Sequence, residues 1–300
     1  MSTSGRSGMG KKTLSLNGAW PFRGFARGEG LRRQAASAPT GRGWRRGRVP
    51  GSVQNDLRRL GELPDPFVGR NAEKYRPVED GEWWYRKSFR LPAEFAGRRL
   101  FLRFAGVDTV AEFFLNGVKL GEHENMFTPC EFDVTHAVRT QGGNDLAVRL
   151  DSPRAVARER DYRGVIEIVN QRYHKDDWHT ASYLRKANFA YGRDMSQRMI
   201  TVGLWQGVEL VGYDRARLTH CRVLETRLGR DDARVRVAVE LERLVFENLP
   251  LRLRLTATGP AGRAAEVELD TPMPWMSRTF EVELRIQNPR LWWPNGLGDQ

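Results

Sequence analysis

The sequence predicts an all-β chain built as two β-sandwiches, the first long and irregular, the second small and antiparallel. Three observations predict it. Apolar and polar residues alternate with a period of two through most of the chain, which is the spacing of strands. Asn116-Gly117 lies between two apolar runs, and that pair suits a two-residue type I′ hairpin because both positions need positive φ. Beyond Tyr213, five alternating stretches follow one another across short polar turns.

Taken in order, residues 1–12 are basic and contain no apolar h-region, so they read as a disordered tail without a secretion signal. A helix is expected after Ser52, which would cap it. Leu57 and Leu60 would share a face and Gly61 would end it. Strands are expected over 83–91, 100–107, 110–123 (broken by the Asn116-Gly117 turn), 131–135, 144–153 and 204–213. The stretch 154–190 is rich in charge and aromatics, and an irregular segment of that length in a compact domain signals function or disorder. The first domain then covers 13–213, with a boundary near Asp214. The second covers 214–300, with strands over 216–228, 233–244, 250–259, 264–270 and 278–286. Their strict alternation implies one wet face per sheet.

Composition bounds the partners. The 300 residues suffice for about two cores. No stretch reaches the ~18 apolar residues of a membrane helix, so no membrane partner is expected. Cys130 and Cys221 are too few for a disulfide framework, which makes a cytoplasmic location the default. Cys130 reads as a buried thiol. The net charge of +12 would suit nucleic acid, yet only seven of the 49 basic residues are lysine, and the arginines are scattered. The densest run, RGWRRGR at 42–48, is broken by glycine, and no helix-turn-helix, zinc-finger or RNA-binding pattern accompanies it. Nucleic acid is therefore not an expected partner. His174 and His179 have no third ligand at metal spacing, so neither a metal nor a cofactor is expected.

The acids offer no obvious catalytic couple. Asp176-Asp177 lie in a polar loop, Asp231-Asp232 at a hairpin turn, and Glu79-Asp80 before Gly81 at another turn. Among nine tryptophans, Trp20, Trp83, Trp84 and Trp205 fall in strand-like segments and read as core. Trp178, between His174 and His179 in the long loop, is the candidate for an exposed stacking contact. Trp292-Trp293 precede Pro294 at the end of the second domain.

Several stretches, in order, resemble the first half of glycoside hydrolase family 2, most closely its β-mannosidase branch. They are LNGAW (16–20), VPGSVQNDLRRLGELPDPFVGRN (49–71), EWWYRKSF (82–89), FAGVDTVAEFFLNGVKLGEHENMFTPCEFDVT (104–135), VGLWQGVEL (202–210) and LWWPNGLGDQ (291–300). The resemblance implies a galactose-binding-like jelly roll over 13–213 and an immunoglobulin-like sandwich over 214–300 without its last strand. It also implies a (β/α)8 barrel, carrying the two catalytic glutamates, beyond Gln300. On that reading the chain is a β-mannosidase-like glycosidase part that does not hydrolyse on its own. Two alternatives stay open: a stand-alone carbohydrate-binding module, and a structural subunit for a separately encoded barrel.

In the family an aspartate of the first domain lies nine residues before the glycine of a Gly-[Ile/Leu]-Trp strand and bonds sugar hydroxyls. Asp194 stands nine residues before Gly203 of Gly203-Leu204-Trp205, so the resemblance assigns it as a substrate-binding carboxylate, with Arg193 beside it. The match departs from the branch where Arg193, Met195, Ser196 and Gln197 replace the usual aromatic, glycine and proline neighbours, and where Pro77 replaces an expected tryptophan. An ion pair between Arg193 and Asp194 in a solvated loop is the other reading of this pair.

Overall fold

In the computed structural model, residues 10–160, 182–192, 197–247, 249–259, 262–273 and 277–298 are described. The chain divides into two compact units, 11–212 and 213–300, the latter taking in Gly10.

The first unit contains, in order, β1 (Lys12–Ser15), β2 (Gly18–Phe25), α1 (Glu29–Arg32), β3 (Arg45–Val49), α2 (Val53–Arg59), β4 (Glu82–Phe89), β5 (Arg99–Phe104), β6 (Ala111–Leu115), β7 (Val118–His123), β8 (Cys130–Asp133), β9 (Asn144–Leu150), α3 (Pro153–Glu159) and β10 (Val208–Tyr213). β1 starts at Lys12, inside the stretch expected as a tail. One sheet runs β3-β2-β4-β9-β6-β7 and the other β1-β10-β5-β8. Their facing sides enclose one core, in which Trp20, Phe22, Tyr85, Phe113 and Val148 of the large sheet meet Leu102, Phe104 and Leu210 of the small one. The rings of Phe104 and Phe113 lie 4.4 Å apart across that seam. Each such buried side chain stabilises the fold by about 1.5–3 kcal/mol. This is the jelly-roll sandwich.

The large sheet is apolar on its outer side too. Trp84, Phe114 and Ala147 point away from the main core and are covered by Phe25 and Ala35. Burial on both faces explains why Glu82–Arg86 shows no polar alternation: all five residues are buried. The cover is anchored by Glu82, which accepts hydrogen bonds from the Gly28 and Gly30 amides, both at 2.8 Å, and from the Trp84 indole at 3.0 Å. A Cβ on Gly30 would fall 2.1 Å from that indole nitrogen, so no larger residue fits there.

Local chemistry fixes the elements as the sequence predicts, with amendments. Asn116 and Gly117 hold φ of 54° and 86°, pairing Leu115 with Val118 across the turn. The Ser52 hydroxyl accepts from the Asn55 amide at 3.3 Å, and Gly61 takes φ 77° just past the helix. Leu57 is buried, but Leu60 is 41% exposed, so the two do not share a buried face. The strand expected over 144–153 ends at Leu150. Ser152 then caps α3, accepting from the Ala155 amide at 3.0 Å, and Pro153 occupies its first turn.

The second unit consists of β11 (Ala216–Leu228), β12 (Asp232–Arg243), β13 (Leu249–Gly259), β14 (Gly262–Met273) and β15 (Ser277–Gln287). They form a β11-β12-β15 sheet and a β13-β14 ribbon. Val237, Val239 and Leu241 of β12 pack with Val282 and Leu284 of β15 and Leu253 of β13. Alternate residues of β12 point to this core, which is the immunoglobulin-like pattern of inward apolar and outward polar positions.

Candidate functional site

The motif Gly203-Leu204-Trp205 lies between two other segments of the first unit. The Gly51 amide donates to the Leu204 carbonyl, and the Val53 amide donates to the Val202 carbonyl, both at 2.8 Å. On the other side Asp108 and Gly203 exchange both backbone bonds, at 2.8 and 2.9 Å. A Cβ on Gly203 would sit 2.4 Å from the Gly51 carbonyl oxygen, so the close approach demands glycine.

Three buried side chains hold the residues leading into that motif. Gln54 of α2 donates to the Ile200 carbonyl at 2.9 Å and accepts from the Val202 amide at 3.1 Å. Glu79 accepts two bonds from the Arg198 guanidinium, at 3.1 and 2.7 Å, and one from the Ile200 amide at 3.1 Å. Lys186 bonds the Asp108 carboxylate and donates to the Thr201 carbonyl at 2.8 Å. Asp108 also accepts from the Thr201 hydroxyl at 2.6 Å. The Met199 amide donates to the Ala190 carbonyl at 2.9 Å, so the chain on both sides of 191–198 is tied at its base.

Burial sets the electrostatics. It pushes the Glu79 carboxyl above the usual range, opposed by Arg198. It pulls the Lys186 ammonium below the usual lysine range, opposed by Asp108. These charges are matched inside the protein and serve as ties.

Above Lys186 lies a cavity of about 430 Å³ between Phe127 and the Ser182–Lys186 stretch, with Asn188 on its wall. The Met126 amide donates to the Arg185 carbonyl at 2.8 Å, which fixes the two walls to each other. The Trp205 indole donates to the Met126 carbonyl at 3.3 Å from the neighbouring side.

The three sugar-contact candidates from the sequence, Asp194, Arg193 and Trp178, lie outside the described residues, as do Asp176, Asp177, His174 and His179. Trp20, Trp83 and Trp84 are core as expected. Trp205 is not: it lies before β10, outside any strand, and is 39% exposed. Its ring covers Gly106, where a Cβ would fall 2.6 Å from the indole nitrogen. Of Glu79-Asp80, expected at a turn, Asp80 does stand at one and is exposed, whereas Glu79 is buried at the end of a 3-10 helix spanning Asn71–Glu79. Asp232 does stand at the β11-β12 hairpin, paired with Arg285 at 2.6 Å. Cys130 is half-buried, and burial pushes its thiol up to about 12. Among the described residues no cluster of three or more His, Cys, Asp or Glu could hold a metal ion.

Sequence reasoning passed over Asp108, Lys186 and Gln54. For Lys186 a signal existed. Where arginine is the habitual cation, one of only seven lysines marks a place where a compact ammonium is needed.

Residues 30–206 match the glycosyl hydrolase 2 galactose-binding domain-like family. The chain belongs to glycoside hydrolase family 2. This family 2 chain is 33% identical over 256 residues to a β-mannosidase B of Emericella nidulans, covering 84% of this chain and 29% of that protein. It is 31% identical over 255 residues to a β-mannosidase B of Aspergillus niger, with the same coverage. Among solved structures, a β-D-mannosidase from Dictyoglomus thermophilum superposes with a TM-score of 0.79 at 33% identity, over 96% of this chain and 33% of that one. A family 2 β-glucuronidase, at 18% identity and a TM-score of 0.65, shares the fold over 97% of this chain and 28% of its own. The family 2 chain thus spans about 29% of the length of the curated β-mannosidases it matches.

Proposed function

We propose that this family 2 chain is the sugar-recognising part of a β-mannosidase-like hydrolase acting on terminal β-linked sugars with retention. The observation that carries this is the 33% identity to β-mannosidase B across 84% of the chain. Binding, not bond cleavage, is the role that its own side chains support. Retaining hydrolysis needs two carboxyl groups about 5–5.5 Å apart, one to protonate the leaving oxygen and one to attack the anomeric carbon. Among the described residues every buried carboxylate is already committed. Asp56 accepts from Arg59 and the Arg48 amide. Glu79 is held by Arg198, Glu82 by Arg149, Asp108 by Lys186 and Asp151 by Arg27.

In this reading Asp194 accepts hydrogen bonds from adjacent sugar hydroxyls, Arg193 orients it, and Trp178 offers a stacking face. Charge-assisted bonds of this kind contribute about 1.5–3 kcal/mol each where water is excluded. The test is a pair of measurements on the purified chain. It should release no p-nitrophenol from p-nitrophenyl β-mannoside, while calorimetry with mannose oligosaccharides should give heat that Asp194→Ala reduces. Enzyme-like release, or no saccharide binding by the folded chain, would sink the proposal, and binding indifferent to Asp194→Ala would remove Asp194 from it. A stand-alone carbohydrate-binding module is the second reading. It is favoured by the exposed Phe127 and Trp205 rings and would bind sugar without any catalytic partner.

A further inference from the structure

We propose that the cavity beside Phe127 is a saccharide subsite made by Phe127, Ser182, Arg185 and Asn188, separate in its residues from the Asp194 segment. It rests on the carbohydrate reading above. At about 430 Å³ the cavity falls within the ~300–1,000 Å³ of small-ligand sites. Phe127 stands on its rim with 63% of its surface exposed. The ring is not on a loose tip. The Phe127 amide donates to the Asn125 side chain at 2.9 Å, and the adjoining Met126 amide bonds the Arg185 carbonyl. The ring is therefore held open to solvent by a fixed backbone.

The facing wall has the opposite character. Ser182, Arg185 and Asn188 are exposed, and among the described residues none of their side chains has a hydrogen-bond or ion-pair partner. Lys186 beneath them is already spent on Asp108 and Thr201. The wall thus offers a planar fork of guanidinium donors, an amide that donates and accepts, and a hydroxyl.

A flat apolar ring facing convergent uncommitted donors fits a pyranose. One face of the sugar is C–H and its rim is hydroxyl, so the C–H face can cover Phe127 while the rim reaches Arg185, Asn188 and Ser182. Among the described residues no carboxylate lines the cavity, so these side chains bind without reacting. Trp205, 39% exposed, is bonded to the carbonyl of Met126, the residue before Phe127.

The experiment titrates the full chain with β-1,4-mannotriose by calorimetry, comparing Phe127→Ala, Asn188→Ala, Arg185→Ala and Asp194→Ala. Phe127→Ala should weaken binding about tenfold, equivalent to ~1.4 kcal/mol. Asn188→Ala and Arg185→Ala should each weaken it severalfold, with melting temperatures unchanged because all three side chains are exposed. Unchanged affinity in all three, alongside loss in Asp194→Ala, overturns the subsite and leaves the carbohydrate reading standing. Loss in the three with Asp194→Ala unaffected supports the subsite and removes Asp194 from the site. A folded chain that binds no saccharide overturns both.

Discussion

Lys186 shows how much depends on a single atom. Its ammonium is fully buried, with Asp108 as counter-ion and the Thr201 carbonyl as a further acceptor. Taking two charges from water costs several kcal/mol per ion, and only close pairing offsets it. Replacing Lys186 with methionine keeps the volume but leaves Asp108 buried without its cation. The expected loss is about 3–5 kcal/mol in urea unfolding, and a loss below ~1 kcal/mol would show that the pair is solvated. Thiol chemistry gives a second check at this scale. Burial raises the Cys130 thiol to about 12, whereas Cys221 is exposed. Iodoacetamide at mildly alkaline pH should alkylate Cys221 in the folded chain and spare Cys130 until denaturant is added, because the thiolate is the nucleophile. Labelling of both at equal rates would contradict the burial.

At the level of elements, α2 earns its position through its caps. Ser52 bonds the Asn55 amide, and the helix then presents Gln54 to Ile200 and Val202. Ser52→Ala should cost about 1 kcal/mol in thermal or urea unfolding, and no measurable change would mean the cap is idle. On the outer face of the large sheet, Arg149 of β9 joins Glu82 of β4 at 2.7 Å and Glu112 of β6 at 2.6 Å. Burial alone would raise both carboxyls. For Glu82 the Trp84 indole, the Gly28 amide and Arg149 reverse that, and for Glu112 Lys119 and Arg149 do, so both end below the ordinary 4.5. A lowered carboxyl stabilises the fold fully above that ordinary value, and the contribution disappears as pH falls through the folded-state value. The melting temperature should therefore drop between about pH 5 and pH 3 and drop less steeply in Glu112→Gln. Parallel profiles would remove Glu112 from the account. Glu79 works the other way: its raised carboxyl favours the fold at low pH and loses that contribution as pH rises. Much of this level was legible in the sequence, since turn residues, caps and period-two alternation are local signals. Asn116-Gly117, Ser52 and the five strands after Tyr213 were found that way. The pairing of Glu79 with Arg198 was not, because it joins residues 119 positions apart. Only the folded chain makes them neighbours. Trp205 misled for a related reason: its flanks alternate like a strand, yet its ring lies over Gly106 instead of entering the core.

For the whole molecule, the two cores differ in kind. The first unit buries Trp20, Phe22, Tyr85, Phe104 and Phe113 between two sheets, while the second relies on aliphatic residues of β12, β13 and β15. Large rings bury more apolar surface than valines do, so the first core gains more from exclusion of water. Two separate cores make a single unfolding free energy an ill-defined quantity for this chain. Calorimetry should resolve two transitions, and one substitution in each core should assign them. Phe104→Ala deletes a ring packed 4.4 Å from Phe113 and should lower the transition of the first unit by an amount equivalent to about 3–5 kcal/mol. Val239→Ala removes two methyl groups from a fully buried site in β12 and should lower the other transition by less, since the cavity it leaves is smaller. Each variant should leave the partner transition within about a degree of its original position, as expected for substitutions with no shared contacts. If Val239→Ala moved both transitions together, the two cores would unfold as one cooperative body, and the first unit would owe its stability to the sandwich that follows it.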